Sequence, residues 1–261
     1  MKNLILSKPI LLSALILPNL SAHSEQNDQG YEKPITVREY ILGKSKYAEG
    51  NIKKTCYEYQ NIVVAEWDDP GLKGGVKIGI SFKNKKYNKV NPCEKKLKNF
   101  NYRLQPEGYF SGKVGDFFVM QGPDSFGGAV SFEIYKFEKK KIKLLFEDVL
   151  ESENGLHFYF NENKNVGARY WKMMKQSSVC SLLNDKTSVN CWNQILFENN
   201  VKNNVSLKKC VDDIKRSEQY KTTENIENFP IQTFINIELT NLNQFKIFKV
   251  LNQEPNCHIS P

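Results

Sequence analysis

The stretch Ser111–Phe160, SGKVGDFFVMQGPDSFGGAVSFEIYKFEKKKIKLLFEDVLESENGLHFYF, decides the fold. It divides into four apolar runs separated by turn formers: Val114–Met120, Ala129–Phe137, Ile142–Phe146 and Leu156–Phe160. In three of them apolar residues alternate, as Val130/Phe132/Ile134, Ile142/Leu144/Phe146 and Leu156/Phe158/Phe160. Alternation with period two is the mark of a half-buried antiparallel strand, because successive side chains leave opposite faces. Gly122-Pro-Asp-Ser-Phe-Gly-Gly128 and Lys139-Lys-Lys141 supply the turns. The stretch predicts an antiparallel meander that carries the core, closing toward a barrel or a sandwich in a mainly β chain.

Upstream, the first 22 residues read as a targeting segment. Lys2 and Lys8 are basic, Ile10–Leu17 is apolar but for Ser13, and Pro18 precedes the small pair Ser21-Ala22. This order is that of a secretory signal peptide cut after Ala22. The apolar run is shorter than the ~20 residues a membrane-crossing helix needs. The first cysteine is Cys56, so none stands at the cut to accept a lipid. The expected protein is therefore periplasmic or secreted, neither a lipoprotein nor membrane-spanning. It is either one β-rich domain over 23–261 or that domain with 205–261 set off as a helix-plus-hairpin subdomain.

Six cysteines follow the cut: Cys56, Cys93, Cys180, Cys191, Cys210 and Cys257. An even count in an exported chain points to disulfides. Zinc ligation would need close pairs such as C-x-x-C, and the sequence has none. Sequential pairing is expected: Cys56–Cys93, Cys180–Cys191 around a hairpin at Asn184-Asp185, and Cys210–Cys257. Each bridge should add ~2–4 kcal/mol, chiefly by restricting the unfolded chain.

Net charge is +8, or +6 without Lys2 and Lys8. The basic residues are 33 Lys against four Arg, beside 28 Asn, a bias that codon composition alone produces. Lys83, Lys85, Lys86, Lys89, Lys95, Lys96 and Lys98 make one basic connection. It reads either as a solvated loop or as a patch for an anionic envelope component. Export and scarce Arg argue against nucleic acid.

Elsewhere the pattern predicts a short helix at Val37–Leu42, one strand or a pair at Cys56–Trp67, and strands at Gly75–Phe82, Val166–Met174 and Trp192–Phe197. Asp68-Asp-Pro-Gly71 is a turn. Ser206–Arg216 is the clearest helix, capped by Ser206, with Leu207, Val211 and Ile214 as its apolar stripe and Cys210 turned to the core. Thr233–Leu239 and Phe245–Val250 form a closing hairpin.

The constellations that could carry chemistry are thin. Gly122–Gly128 resembles the nucleophile turn of chymotrypsin-like proteases, but Pro123 and Phe126 interrupt it. The histidine needed upstream to take the serine proton could only be His23, beside the cut. His157 is a lone strand histidine. Glu147-Asp148 and Glu151/Glu153 are acidic, but neighbours on a strand point to opposite faces. No catalytic, cofactor-binding or metal-ligating set is identified.

In the order of its features, Gly112–Trp192 resembles a type of exported bacterial β-rich protein with no assigned activity. The features are an apolar strand, a Gly-rich turn with Asp124, a strand ending in a Lys turn, Phe146-Glu-Asp148, Tyr170-Trp171 and Cys191-Trp192. The resemblance transfers no functional residue. The functional expectation is a non-catalytic binding protein of the cell envelope, its partner a protein or an anionic envelope component. The rival reading is a secreted hydrolase whose catalytic carboxylates are distant in sequence.

Overall fold

Two antiparallel sheets share a seam of aromatic and branched side chains. The structure is a computed structural model that describes residues 27–71, 76–83, 92–94, 96–106, 108–124, 129–138, 141–152, 155–176, 181–184, 188–202, 205–222, 231–245, 247–252 and 254–259. The proposed leader lies outside these residues.

The first sheet is a simple meander of β1 (Thr36–Lys44), β2 (Asn51–Glu58), β3 (Ile62–Asp68), β4 (Lys77–Phe82) and β5 (Tyr102–Leu104). The expected helix at Val37–Leu42 is strand β1 instead. Pairing with β2 from Thr36↔Glu58 to Lys44↔Asn51 overrides a short helical pattern too weak to stand alone. Between β3 and β4, Asp69 Oδ1 accepts the Gly71 N–H at 3.0 Å, as the turn signature predicts. The run Ile62–Ala65 does not alternate because both its faces are covered. Ile62 and Val64 join Ile78, Ile80, Phe110, Phe118 and Met120 in the seam. Val63 and Ala65 pack with Cys56, Cys93 and Phe100 on the other side. The Cys56–Cys93 disulfide straps that outer layer down.

The second sheet contains the organising stretch. Its strands are β6 (Tyr109–Val114), β7 (Phe117–Asp124), β8 (Val130–Glu138), β9 (Lys141–Leu150), β10 (His157–Phe160), β11 (Val166–Met173), β12 (Ile231–Leu239), β13 (Lys249–Val250) and β14 (Asn256–Ile259). The run Val114–Met120 is not one strand. Val114 pairs with Phe117 across Gly115-Asp116, and Gly115 has φ 56°, the geometry that favours glycine at the first centre of a tight hairpin. Val130, Phe132 and Ile134 all point inward and are buried, as expected. The alternation of β9 fails, however. A bulge between Ile134 and Tyr135 shifts the register, so Ile142 packs in the seam, Leu144 is exposed and Phe146 faces the interior. Phe160 is likewise half-exposed at the end of β10.

The sheet curls into a half-barrel whose open side is tied by the N-terminal segment. The Phe158 N–H donates to the Gln29 carbonyl and the Glu32 N–H to the Lys113 carbonyl, both at 2.8 Å, linking β10 to β6. Tyr31 between them is buried against Phe158, ring centroids 5.2 Å apart. Gly30 has φ 83°, and a Cβ there would lie 2.1 Å from the Phe158 carbonyl oxygen, so no other residue fits.

Helices α1 (Ser188–Glu198), α2 (Lys208–Arg216) and α3 (Glu218–Thr222) belong to the half of the chain that packs on the main core. The strand expected at Trp192–Phe197 is part of α1. Cys191, Trp192 and Ile195 recur at helical spacing on its buried side, and the Trp192 indole donates to the Val205 carbonyl at 2.7 Å. The hairpin expected between Cys180 and Cys191 accordingly lacks its second strand. Cys191 is disulfide-bonded, while Cys180 lies outside the described residues. The helix expected at Ser206–Arg216 starts at Lys208, with Ser206 Oγ accepting the Lys208 N–H at 3.4 Å. Cys210 faces the core and bonds to Cys257, which pins α2 to β14. β14, absent from the sequence reading, pairs with the first half of β12, and β13 with its second half.

Candidate binding cleft

β9, β11 and β12 and the end of α1 enclose a cleft of about 390 Å³. Its floor is built by alternation. On β9, Phe146, Asp148 and Leu150 share the inward face, and Asp148 stands directly opposite Phe132 of β8. On β11, Tyr170 and Lys172 share the face that meets them. Asp148 Oδ2 accepts the Tyr170 hydroxyl at 2.6 Å and the Lys172 ammonium, while Oδ1 accepts the Val149 N–H at 2.9 Å. Asp148 and Tyr170 are buried among Phe132 and Phe146, whose rings lie 5.1 Å from Tyr170 and 5.7 Å from Phe132 respectively. Burial, then the adjacent carboxylate, pushes the Tyr170 hydroxyl well above the usual tyrosine range. It stays a proton donor to Asp148 at every ordinary pH.

The side wall comes from the turn that ends α1. Asn200 takes φ 57°, its N–H donates to Phe197 and the Val201 N–H donates to Leu196, a Schellman ending. That turn places Asn199 so that its side chain grips Lys175 by the backbone. Asn199 Oδ1 accepts the Lys175 N–H at 2.9 Å and Nδ2 donates to the Lys175 carbonyl at 2.7 Å. The Lys175 side chain is exposed and lines both the cleft and a smaller depression of about 240 Å³ beside it. Glu133 and Glu147, paired across β8 and β9, line that smaller depression. The rest of the lining is Glu198 and an apolar wall of Ile237, Leu239, Phe245 and Phe248.

Compared with known proteins, the chain matches no family model, no curated protein and no solved structure.

The residues singled out from sequence fall elsewhere. Lys83 forms an ion pair with Glu58 at 2.6 Å, and Lys96 and Lys98 are exposed on the layer that covers the first sheet. Lys85, Lys86, Lys89 and Lys95 lie outside the described residues, as do Ser125, His23 and Glu153. His157 is an exposed strand residue opposite Arg169. Glu147 is exposed and Asp148 buried, so the two do point to opposite faces. Glu151 joins neither. Its carboxylate accepts the Asn256 side-chain amide at 3.1 Å and pairs with His258 Nε2 at 2.6 Å, clamping β14. His258 holds the Glu151 carboxyl below the ordinary carboxylate value, and Glu151 in turn raises the imidazole. Glu66 has its carboxyl pushed up by burial, but it accepts the Phe110 N–H at 2.6 Å inside the seam between the sheets. Among the described residues no group of His, Cys, Asp and Glu could hold a metal ion, and no helix is long and apolar enough to cross a membrane.

The cluster of Asp148, Tyr170, Lys172 and Lys175 was not found from sequence, although a signal existed. Carrying the inward face of β9 one step beyond Phe146 reaches Asp148, a carboxylate at a core position. A buried charge must find a partner, and the Tyr170–Lys172 spacing on β11 supplies two on one face.

Proposed function

We propose that this chain is an exported, disulfide-stapled binding protein of the cell envelope that performs no chemistry on its ligand, and that the ligand occupies the cleft beside Lys175. The observation that carries this reading is an apolar wall facing a fixed polar floor in one concave site. Such a combination of aromatic lining and a few placed polar groups is how small-molecule sites are built, and about 390 Å³ lies in their size range. The absence of a catalytic step is argued from Asp148. Both of its oxygens are engaged by protein donors, so it is held as a structural carboxylate and not presented to a substrate. Export is argued from the leader and from the disulfides, which persist in oxidising compartments.

The test uses N-phenyl-1-naphthylamine, an uncharged apolar dye, with the oxidised protein. One saturable site per chain is expected, with fluorescence enhancement abolished by Phe245→Asp and kept by Tyr47→Asp, an exposed residue beside the first sheet that does not line the cleft. Absence of saturable uptake, or equal uptake by both variants, would overturn the cleft as the site.

A further inference from the structure

The cleft is chemically mixed. Its lining is charged or polar at Asp148, Lys172, Lys175, Glu198, Asn199 and Asn200 and aromatic at Phe146, Phe245 and Phe248. Lys172 is neutralised by Asp148. Lys175 forms no ion pair among the described residues; Asn199 fixes its backbone from both sides, and its exposed side chain lines the cleft. Two acidic groups decide where an anion would sit. Glu133 and Glu147 line the smaller depression and repel an anion from that side of Lys175. Glu198, on the cleft side, has its carboxylate turned along α1 to the Gln194 amide at 2.9 Å.

We infer that the ligand is a single-chain amphipathic anion, its carboxylate or phosphate head on Lys175 and its apolar chain laid along Phe146, Phe245 and Phe248. The inference rests on the cleft being the binding site and adds the class of ligand. The volume sits near the low end for ligand sites, which suits one chain and leaves no room for a second. The side amides of Asn199 and Asn200 stand beside Lys175; the Asn199 amide is already used on the backbone, which leaves Asn200 as the neutral donor to the head.

Calorimetric titration with dodecanoate and with dodecanol, both below their aggregation concentrations, separates the two claims. Dodecanoate is expected to bind one per chain and about tenfold tighter than dodecanol, as a charged hydrogen bond gains over a neutral one. Lys175→Ala should remove that tenfold advantage and leave dodecanol unchanged. Because the Lys175 side chain is exposed, this variant keeps its thermal midpoint. Equal binding of the two ligands, or no effect of Lys175→Ala, overturns the anion while leaving the cleft intact. Failure of both ligands together with failure of the neutral dye overturns the cleft itself. Tighter binding to anionic vesicles than to monomeric dodecanoate, unaffected by Lys175→Ala, would show a surface attraction and also overturn the inference.

Discussion

The two sheets bury charge in different ways. In the five-stranded sheet, Lys54 is buried with its ammonium 4.9 Å from the Tyr40 ring centroid and 5.4 Å from that of Trp67. Glu66 ends on the Phe110 backbone N–H. Both charges are met by groups already packed around them, and neither lines the cleft. In the curled sheet, Asp148 stands at the edge of open space and gathers Tyr170 and Lys172 there. The difference lies in closure. Where a sheet is covered on both faces, as around β3, a charge finds only local partners, whereas a half-closed sheet leaves a hollow where inward polar residues from several strands meet.

The contrast can be broken most sharply at Asp148. Asp148→Ala leaves Lys172 and the Tyr170 hydroxyl buried without their acceptor and should cost about 3–5 kcal/mol in urea unfolding. Lys54→Met, which keeps the stem between two rings, should cost less than half as much if the first sheet handles its charge locally. A second cut tests the covalent frame. Replacing Cys210 and Cys257 together by alanine removes a link across 47 residues and should cost about 4 kcal/mol by the chain-entropy estimate, read as a lower urea midpoint.

A smaller effect is expected at the β14 clamp. The His258 pKa is raised above its ordinary 6.5, so its contribution is full below that pH and fades as pH rises through the raised value. The Glu151 pKa is lowered below 4.5, so its contribution is present above 4.5 and fades as pH falls through the lowered value. The pair is therefore strongest between pH 4.5 and 6.5. The wild type should exceed His258→Gln by about 0.5–1 kcal/mol at pH 5.5, with the gap closing by pH 9, because the half-exposed ring is screened by solvent. Smallest of all is Arg169→Met. Its guanidinium reaches Glu238 at 2.6 Å but is 56% exposed, and a loss of under ~1 kcal/mol is expected by thermal melting.

Much of this architecture was legible in the residues. The alternation of Val130, Phe132 and Ile134 named the inner face of β8, and the spacing of the four assigned cysteines named the two described bridges. What escaped had physical causes. The bulge at Ile134/Tyr135 cannot be read from period-two alternation, since it changes which residues face inward only through its partner strand. Val37–Leu42 and Trp192–Phe197 were exchanged because a short apolar run carries both periods, and only the neighbouring strand or core chooses between them. The cleft was missed because its members lie on β9, β11, β12 and the segments that follow α1 and β12, up to 102 positions apart, from Phe146 to Phe248.

The short tie from Gln29 to Glu32 has a bearing on the order of events during synthesis. These residues are among the first of the described chain to be made, yet one of their two anchoring strands, β10, is translated about 130 positions later. Ring closure must therefore wait for nearly two-thirds of the polypeptide, and no earlier fragment can seal itself. A chain that closes so late leaves the apolar inner faces of its early strands uncovered through most of its synthesis.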